Sequence, residues 1–544
     1  MNRTFLVLTH FFMLTWLLLI ATTIHAATLE VGAGKPYTKI QSAINDAVND
    51  DTILVYDGTY VENIYFYGKA ITVKSVNGAA STTIDGNASG TVVTFVMGEG
   101  SGSVLEGFTI RNGNDSGIYC NTSSPTITNC TITGNMAGHG FGGGIHCASS
   151  SSTITNCTIT GNSASYGGGI ACYAPSSLTI TNCTISGNTA DLLGGGIYCQ
   201  SSSPTITNCI VTENTVSIYG GGGIYCLDSS PTINGCNITG NTAFNGGGIF
   251  CEFSSPVITN CTVTGNMAMN WGGGIACYSS SSAVITNCTV TGNTATSAAG
   301  GIANAGSASA VIINCTITGN TASDYGGGGI ASEDSSVTVV NTILWGDIAP
   351  MSKEILLLTG STITVTYSDV EGGWTGTGNI NADPLFVGNG DYHLTAGSPC
   401  IDKGTSEGAP SYDIDGDTRP QGAGYDIGSD EYYGYTTVNI DIKPGGFPNS
   451  INLKSKGNVP VAILSSPTFD AATVDRGTVV FAGAPALSIG GTPEDVNGDG
   501  LLDLVLHFST QSLNLNSGDT EACLTGKTLS GQDFKGCDSV NIVK

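Results

Sequence analysis

Asp495-Val496-Asn497-Gly498-Asp499-Gly500-Leu501-Leu502-Asp503 is a dense run of oxygen donors. Side-chain oxygens of Asp495, Asn497, Asp499 and Asp503, with the Leu501 carbonyl, occupy positions 1, 3, 5, 9 and 7 of a calcium loop, and Gly500 permits its tight turn. Calcium is therefore the expected cofactor. Leu506 stands at position 12, where an EF-hand places a bidentate Glu, and strand-like sequence follows. The loop is expected to sit among strands. Asp413, Asp415 and Asp417 make a second candidate cluster, DIDGD, which lacks later ligands at the right spacing.

A second set of residues suits sugars. The outward position of a recurring GI-x-C phrase reads Tyr119, His146, Ala171, Tyr198, Tyr225, Phe250 and Ala276, and the preceding turns carry Phe141, Tyr166, Tyr219, Trp271 and Tyr325. Such rings can stack on pyranose faces, and Tyr119, Tyr198, Tyr225, Phe250 and Trp271 are the glycan candidates. The competing reading is an aromatic ladder that stabilises its own stack. His146 reads as an exposed member of that row. Hydrolysis of polysaccharide requires paired carboxylates on one groove, and Asp228 and Glu252 stand on neighbouring units but differ in strand phase; a lyase needs an Arg or Lys base beside acidic calcium ligands, which the repeats lack, so no catalytic residue is assigned.

These residues are positioned by a repeat. GGGI-x-C, a Ser-rich turn and TITNCTITGN recur between Cys120 and Asn320, and Cys130, Cys157, Cys183, Cys209, Cys236, Cys261, Cys288 and Cys315 fall 25 to 27 residues apart. That is the period of a solenoid, and each unit, rich in Ile, Val, Thr and Gly, is one coil of short strands. Strand parity changes at each Asn-Cys step. Asn129, Asn156, Asn182, Asn208, Asn260, Asn287 and Asn314 are therefore expected to stack as a corner ladder, interrupted by Gly235. A second row, Asn135 to Asn320, precedes the glycine-rich turn and is expected to serve its positive φ.

These phrases resemble right-handed parallel β-helix proteins of the pectin-lyase-like superfamily, and the GGGI and ITGN phrases resemble repeats of polymorphic outer-membrane proteins. The entry segment 31–76 looks like the usual cap and first coils of such proteins, with an amphipathic cap helix expected over Tyr37 to Val48. SDVEGGWTGTGNINADPLFVGNGDYHLTAGSPCIDKG and DIDGDTRPQGAGYDIGSDEY resemble the choice-of-anchor Q region of bacterial surface β-helices. The resulting expectation is all-β: a right-handed β-helix over 27–345, an anchor-like region over 346–434, and a small sandwich-like β-domain over 435–544. The resemblance implies a structural or adhesive protein that binds polysaccharide or cell-surface glycan, with polysaccharide cleavage by a lyase or glycoside hydrolase as the alternative.

Seven units carry a cysteine pair, from Cys120/Cys130 to Cys277/Cys288. Pairing within a coil, pairing between stacked neighbours and two ladders of buried thiols are all open, although Asn304 replaces the first cysteine of the eighth unit while Cys315 remains, which argues against obligatory pairing within each coil. No C-x-x-C or His-rich spacing points to zinc. Cys523 and Cys537 are expected to form a disulfide across a hairpin.

The net charge is −26, and Arg111 is the only Lys or Arg between Val104 and Trp345. Binding of nucleic acid or anionic membrane through a basic patch is disfavoured by that balance. Residues 1–26 carry Arg3, an apolar stretch from Phe5 to Ile20 and a cleavage-like Ile24-His25-Ala26, so a Sec signal peptide is expected, with a secreted or cell-surface protein and no membrane span after its removal.

Overall fold

The computed structural model describes residues 26–467, 469–487, 492–529 and 531–543. The signal-peptide reading of residues 1–26 lies, apart from Ala26, outside them. Two compact units emerge: one ends at Leu394 and takes in Ser398–Glu431, and the other comprises Thr395–Gly397 and Tyr432–Lys544.

The first unit is a right-handed parallel β-helix. Its coils build parallel sheets of 14, 13, 12 and 8 strands among the described residues. Each TIT strand buries its central Ile, so Ile127, Ile154, Ile180 and Ile206 pair in one row, and Ile132, Ile159 and Ile185 in another. The GI-x-C strands stack with Ile145 on Ile170 and Cys147 on Cys172. Side chains that alternate faces and recur in register make a continuous Ile, Val and Cys core. Both thiol rows are buried and unpaired, and Asn304 continues the first row directly after Cys277.

Upstream, the two asparagine rows exchange their expected roles; the corner row keeps amide contacts downstream, where Asn287 Nδ2 donates to Asn260 Oδ1 at 2.8 Å and Asn341 Nδ2 to Asn314 Oδ1 at 3.1 Å. Asn156, Asn182 and Asn208 make the corner by adopting φ of 54°, 53° and 51°, with their side chains exposed. The buried amide ladder is the other row: Asn188 donates through its backbone N and its Nδ2 to Asn214 Oδ1, both at 3.0 Å, and Nδ2 also donates to Ile159 O at 2.9 Å. An amide carries both donors and acceptor, so each member satisfies its neighbour in a place water does not reach. The glycines beside it are required by close approach, since a Cβ on Gly223 would lie 2.6 Å from Gly248 O.

The cap helix spans Ile40–Asp46, with Ile40, Ala43 and Ile44 buried; Val48 is exposed beyond it. Its first amides are satisfied by a distant side chain, the Glu62 carboxylate accepting from Ile40 N and Gln41 N. At the other end the coil outlasts its phrase: Ile355–Leu357, Thr362–Thr366 and Asp369–Val370 extend three sheets past 345. Alternating Ile, Val and Thr suffice for pairing without the GGGI-x-C wording.

The chain then folds back on the solenoid. Arg419, buried, donates to Glu431 at 2.9 Å, to Gly428 O at 3.1 Å and to Asn287 Oδ1 at 3.2 Å. Asn341 exchanges hydrogen bonds with the Thr405 backbone at 2.7 and 2.8 Å. Asn287, Asn314 and Asn341 are consequently fully buried, unlike the upstream corners.

The second unit is a small β-domain with a five-stranded and a four-stranded sheet around Ile442, Val461, Phe481, Leu504, Phe508, Leu524 and Phe534. Cys523 and Cys537 are paired residues of adjacent antiparallel strands and form a disulfide. No helix among the described residues is long and apolar enough to cross a membrane.

Candidate carbohydrate-binding cleft

The GI-x-C row does not present a free aromatic platform. Tyr198, Tyr225 and Phe250 point away from the lumen as their parity requires, yet they are 2%, 2% and 6% exposed, because the chain between the eight-stranded sheet and each GGG turn lies over them. They form a second core with Ala171, Ala276 and Ala303, against which Phe141, Tyr166, Leu193 and Trp271 pack. Ring centroids of Tyr198 and Tyr225 stand 5.7 Å apart, and those of Tyr225 and Phe250 5.3 Å. The self-stabilising ladder therefore describes these three rings. Tyr119 and Trp271 retain partial exposure, while Tyr219 and Tyr325 are the open rings of the turns.

His146 is likewise not an exposed member. Its ring packs 4.9 Å from Tyr119 and 5.7 Å from Phe141, and Nε2 is buried without a partner. Burial holds its pKa down to about 4, so the ring is neutral. Glu252 accepts from Tyr225 Oη at 2.8 Å and from Ser279 Oγ at 3.3 Å, whereas Asp228 occupies a turn with φ of 48°. Their engagements differ as their strand phases do.

A concave site lies instead where the returning chain meets the second TIT sheet. The cleft has a volume of about 690 Å³; Asn237, Asn260, Thr262 and Thr264 form one side, and Tyr392, His393, Asp415 and Asp430 the other. The repeat supplies an uncharged bank of hydroxyl and amide groups at strand spacing. The hairpin of Phe386–Gly388 and Asp391–Leu394 supplies the ring and the imidazole.

His393 is gripped on both nitrogens. Asp391 Oδ1 bonds Nδ1, and Asp415 Oδ2 lies 2.6 Å from Nε2. Hydrogen bonds to Asp391 and then Asp415 raise its pKa to about 11, so the free cleft holds an imidazolium. Asp430, 7% exposed, accepts from Leu394 N at 2.8 Å, and burial raises it to about 7. Asp413 does not join them as a ligand set. Its Oδ1 accepts from Asp415 N and Asp417 N and its Oδ2 from Glu431 N, so it closes its own turn while Asp415 turns to His393. His393 escaped sequence reasoning because its acidic neighbours at 415 and 430 are distant in the chain; the nearby Asp391 alone was a weak signal.

The Asp495 to Asp503 loop joins strands Thr492–Glu494 and Asp503–Ser509, which pair antiparallel. Asp495 accepts from Gly498 N and Gly500 N at 2.8 and 3.0 Å, and Gly498 and Gly500 take φ of 78° and 88°. Asp503 is fully buried and receives Ser465 N and Val496 N at 2.8 and 3.0 Å. The carboxylates of Asp495, Asp499 and Asp503 thus each accept from backbone amides of the loop and its neighbours.

No curated protein matches the chain. Among solved structures it is similar to pectate lyase Pel9A, at 15% identity and TM-score 0.38, covering 75% of this chain and 96% of that one. It is also similar to the Azotobacter vinelandii mannuronan C-5 epimerase AlgE6 A-module, at 14% identity and TM-score 0.27, covering 60% and 94%. A pectin methylesterase in complex with a hexasaccharide is similar at 12% identity and TM-score 0.23, covering 48% and 80%. The family model described as right handed beta helix region matches residues 37–173, 95–256 and 247–378, and the chain belongs to that family.

Proposed function

We propose that this is an exported surface or extracellular β-helix protein with a structural or adhesive role, and that it binds polysaccharide in the cleft beside Tyr392. The observation that carries the reading is the pairing, across one cleft, of Asn and Thr side chains with a tyrosine ring and acidic groups. Sugars need hydrogen-bonding groups for their hydroxyls and an aromatic face for their C–H surface; an uncharged Thr bank supplies the first, and the facing carboxylates favour neutral over acidic glycans. Calcium in the Asp495 loop, held by Asp495, Asn497, Asp499, Asp503 and the Leu501 carbonyl, would order the hairpin of the second unit.

Affinity electrophoresis against neutral and acidic polysaccharides tests the reading. Retardation that is lost in Thr264→Arg and weakened in Tyr392→Ala supports it; binding unchanged in both, or none by the folded protein, refutes it. The same incubations, assayed for new chain ends, test cleavage. Asp415 is engaged with His393 Nε2 at 2.6 Å and Asp430 with Leu394 N at 2.8 Å, so binding without release is expected.

A further inference from the structure

The acidic side of the cleft is more than a charged rim. His393, Asp415 and Asp430 come from a hairpin and two later turns, and their ligating atoms all lie within 4.8 Å of one another. We propose that these three side chains bind one divalent cation of the zinc class at the floor of the cleft, with Asp391 as a positioning residue for the imidazole.

Three features beyond proximity support this. Asp391 holds Nδ1, which fixes the ring so that Nε2 faces Asp415 and Asp430. A carboxylate behind the distal nitrogen of a ligating histidine is the recurrent outer partner of such metals. Asp430 is more than nine-tenths buried at the cleft wall, and the hydrogen bond it accepts there comes from a backbone amide, Leu394 N, not from a cation. Three carboxylates thus face one imidazole, and no Lys or Arg lines the cleft among the described residues. Arg419, the buried cation of the returning chain, is committed to Glu431, Gly428 O and Asn287.

The donor set selects the metal. One imidazole nitrogen and two carboxylates suit zinc, manganese or cobalt, whereas calcium prefers six or more oxygens. Bonds of about 2.0–2.1 Å separate tetrahedral ligand atoms by roughly 3.3 Å. Nε2 and Asp415 Oδ2 stand at 2.6 Å, so they must part by less than about 1 Å, Asp415 being a half-exposed side chain, and the cation displaces the Nε2 proton to solvent while Nδ1–H stays on Asp391. A fourth position would open into the 690 Å³ cleft, where water or a sugar hydroxyl would complete the site. The inference concerns metal affinity and stands whether or not glycan binds.

The test uses the full chain after chelation, with Asp495→Ala and Asp499→Ala to silence the calcium loop. Titration with Zn²⁺ by calorimetry and with Co²⁺ by visible absorption should show one equivalent. His393→Ala and Asp415→Asn should abolish it, and Asp391→Asn should weaken it about 10–100-fold. A wild-type measurement guards against misfolded variants: the chain has six histidines, and Zn²⁺ should shift the His393 ¹⁵N resonance. No Zn²⁺ equivalent, an unshifted His393, or Zn²⁺ affinity unaltered in a folded His393→Ala variant would overturn the proposal.

Discussion

The corner asparagines upstream and downstream share a backbone and differ in everything else. Asn182 and Asn208 turn the chain with φ near +50° and leave their amides in solvent. Asn287, Asn314 and Asn341 turn it the same way, with φ of 57°, 48° and 49°, yet are fully buried by Arg419, Thr405, Asp426 and Gly428. A repeat therefore supplies a rail of identical groups, and a non-repeating segment decides which of them become a docking surface. The cleft exists at the boundary, where that segment departs from the rail.

The contrast is broken most severely at Arg419. Replacing it by Ala leaves Glu431 buried without its cation, at a cost of about 3–5 kcal/mol, read as loss of hydrogen-exchange protection over 398–431 while the upstream coils stay protected. Asn341→Gly keeps the turn but removes both Thr405 contacts; a loss of about 2–3 kcal/mol in the docking of that segment is expected by the same measurement.

The interior ladder supplies a pH-dependent test. It ends at Asp347, whose Oδ1 accepts from Asn320 N at 2.6 Å while Oδ2 is buried without a partner beside Glu354, with Glu371 also contributing repulsion. Burial raises Asp347 to about 7 and Glu354 to about 10. Both are acids with raised folded pKa values, so the unfolded chain releases their protons first. Their contribution is complete below pH ~4 and declines as pH rises toward and through 7. Urea midpoints should fall between pH 5 and 8, and Asp347→Asn, which continues the ladder, should flatten that slope and gain about 1–3 kcal/mol at pH 8. Smallest of all, Asn208→Gly should change stability by less than about 0.5 kcal/mol, since Gly235 already makes the same corner with φ of 62°.

Much of the fold was legible because periodicity is a local property with a global consequence. Cysteines every 25 to 27 residues and Ile in alternating phase demand stacked coils, and the structure adds only the exact extent. The parity that placed Tyr198, Tyr225 and Phe250 outside the lumen was correct, but outside the lumen is not outside the protein. Which chain lies over an outward face depends on how each turn folds back, and no strand alternation encodes that. The exchange of the two asparagine rows has the same cause: both tolerate a turn, and only the stack shows which amides lose access to water.

Sequence by itself determined the parallel β-helix, the stacking of each strand on its counterpart one coil on, the hairpin disulfide and the spacing of the Asp495 loop, because each depends on residues close in the chain or repeated along it. Tertiary structure decided the cleft. His393 meets Asp415 across 22 residues and Asp430 across 37, and a threonine bank more than 100 residues earlier closes the other side. Contacts of that separation are set by where the returning segment docks, which is fixed by Arg419 on Glu431 and Asn287 together with Asn341 on the Thr405 backbone.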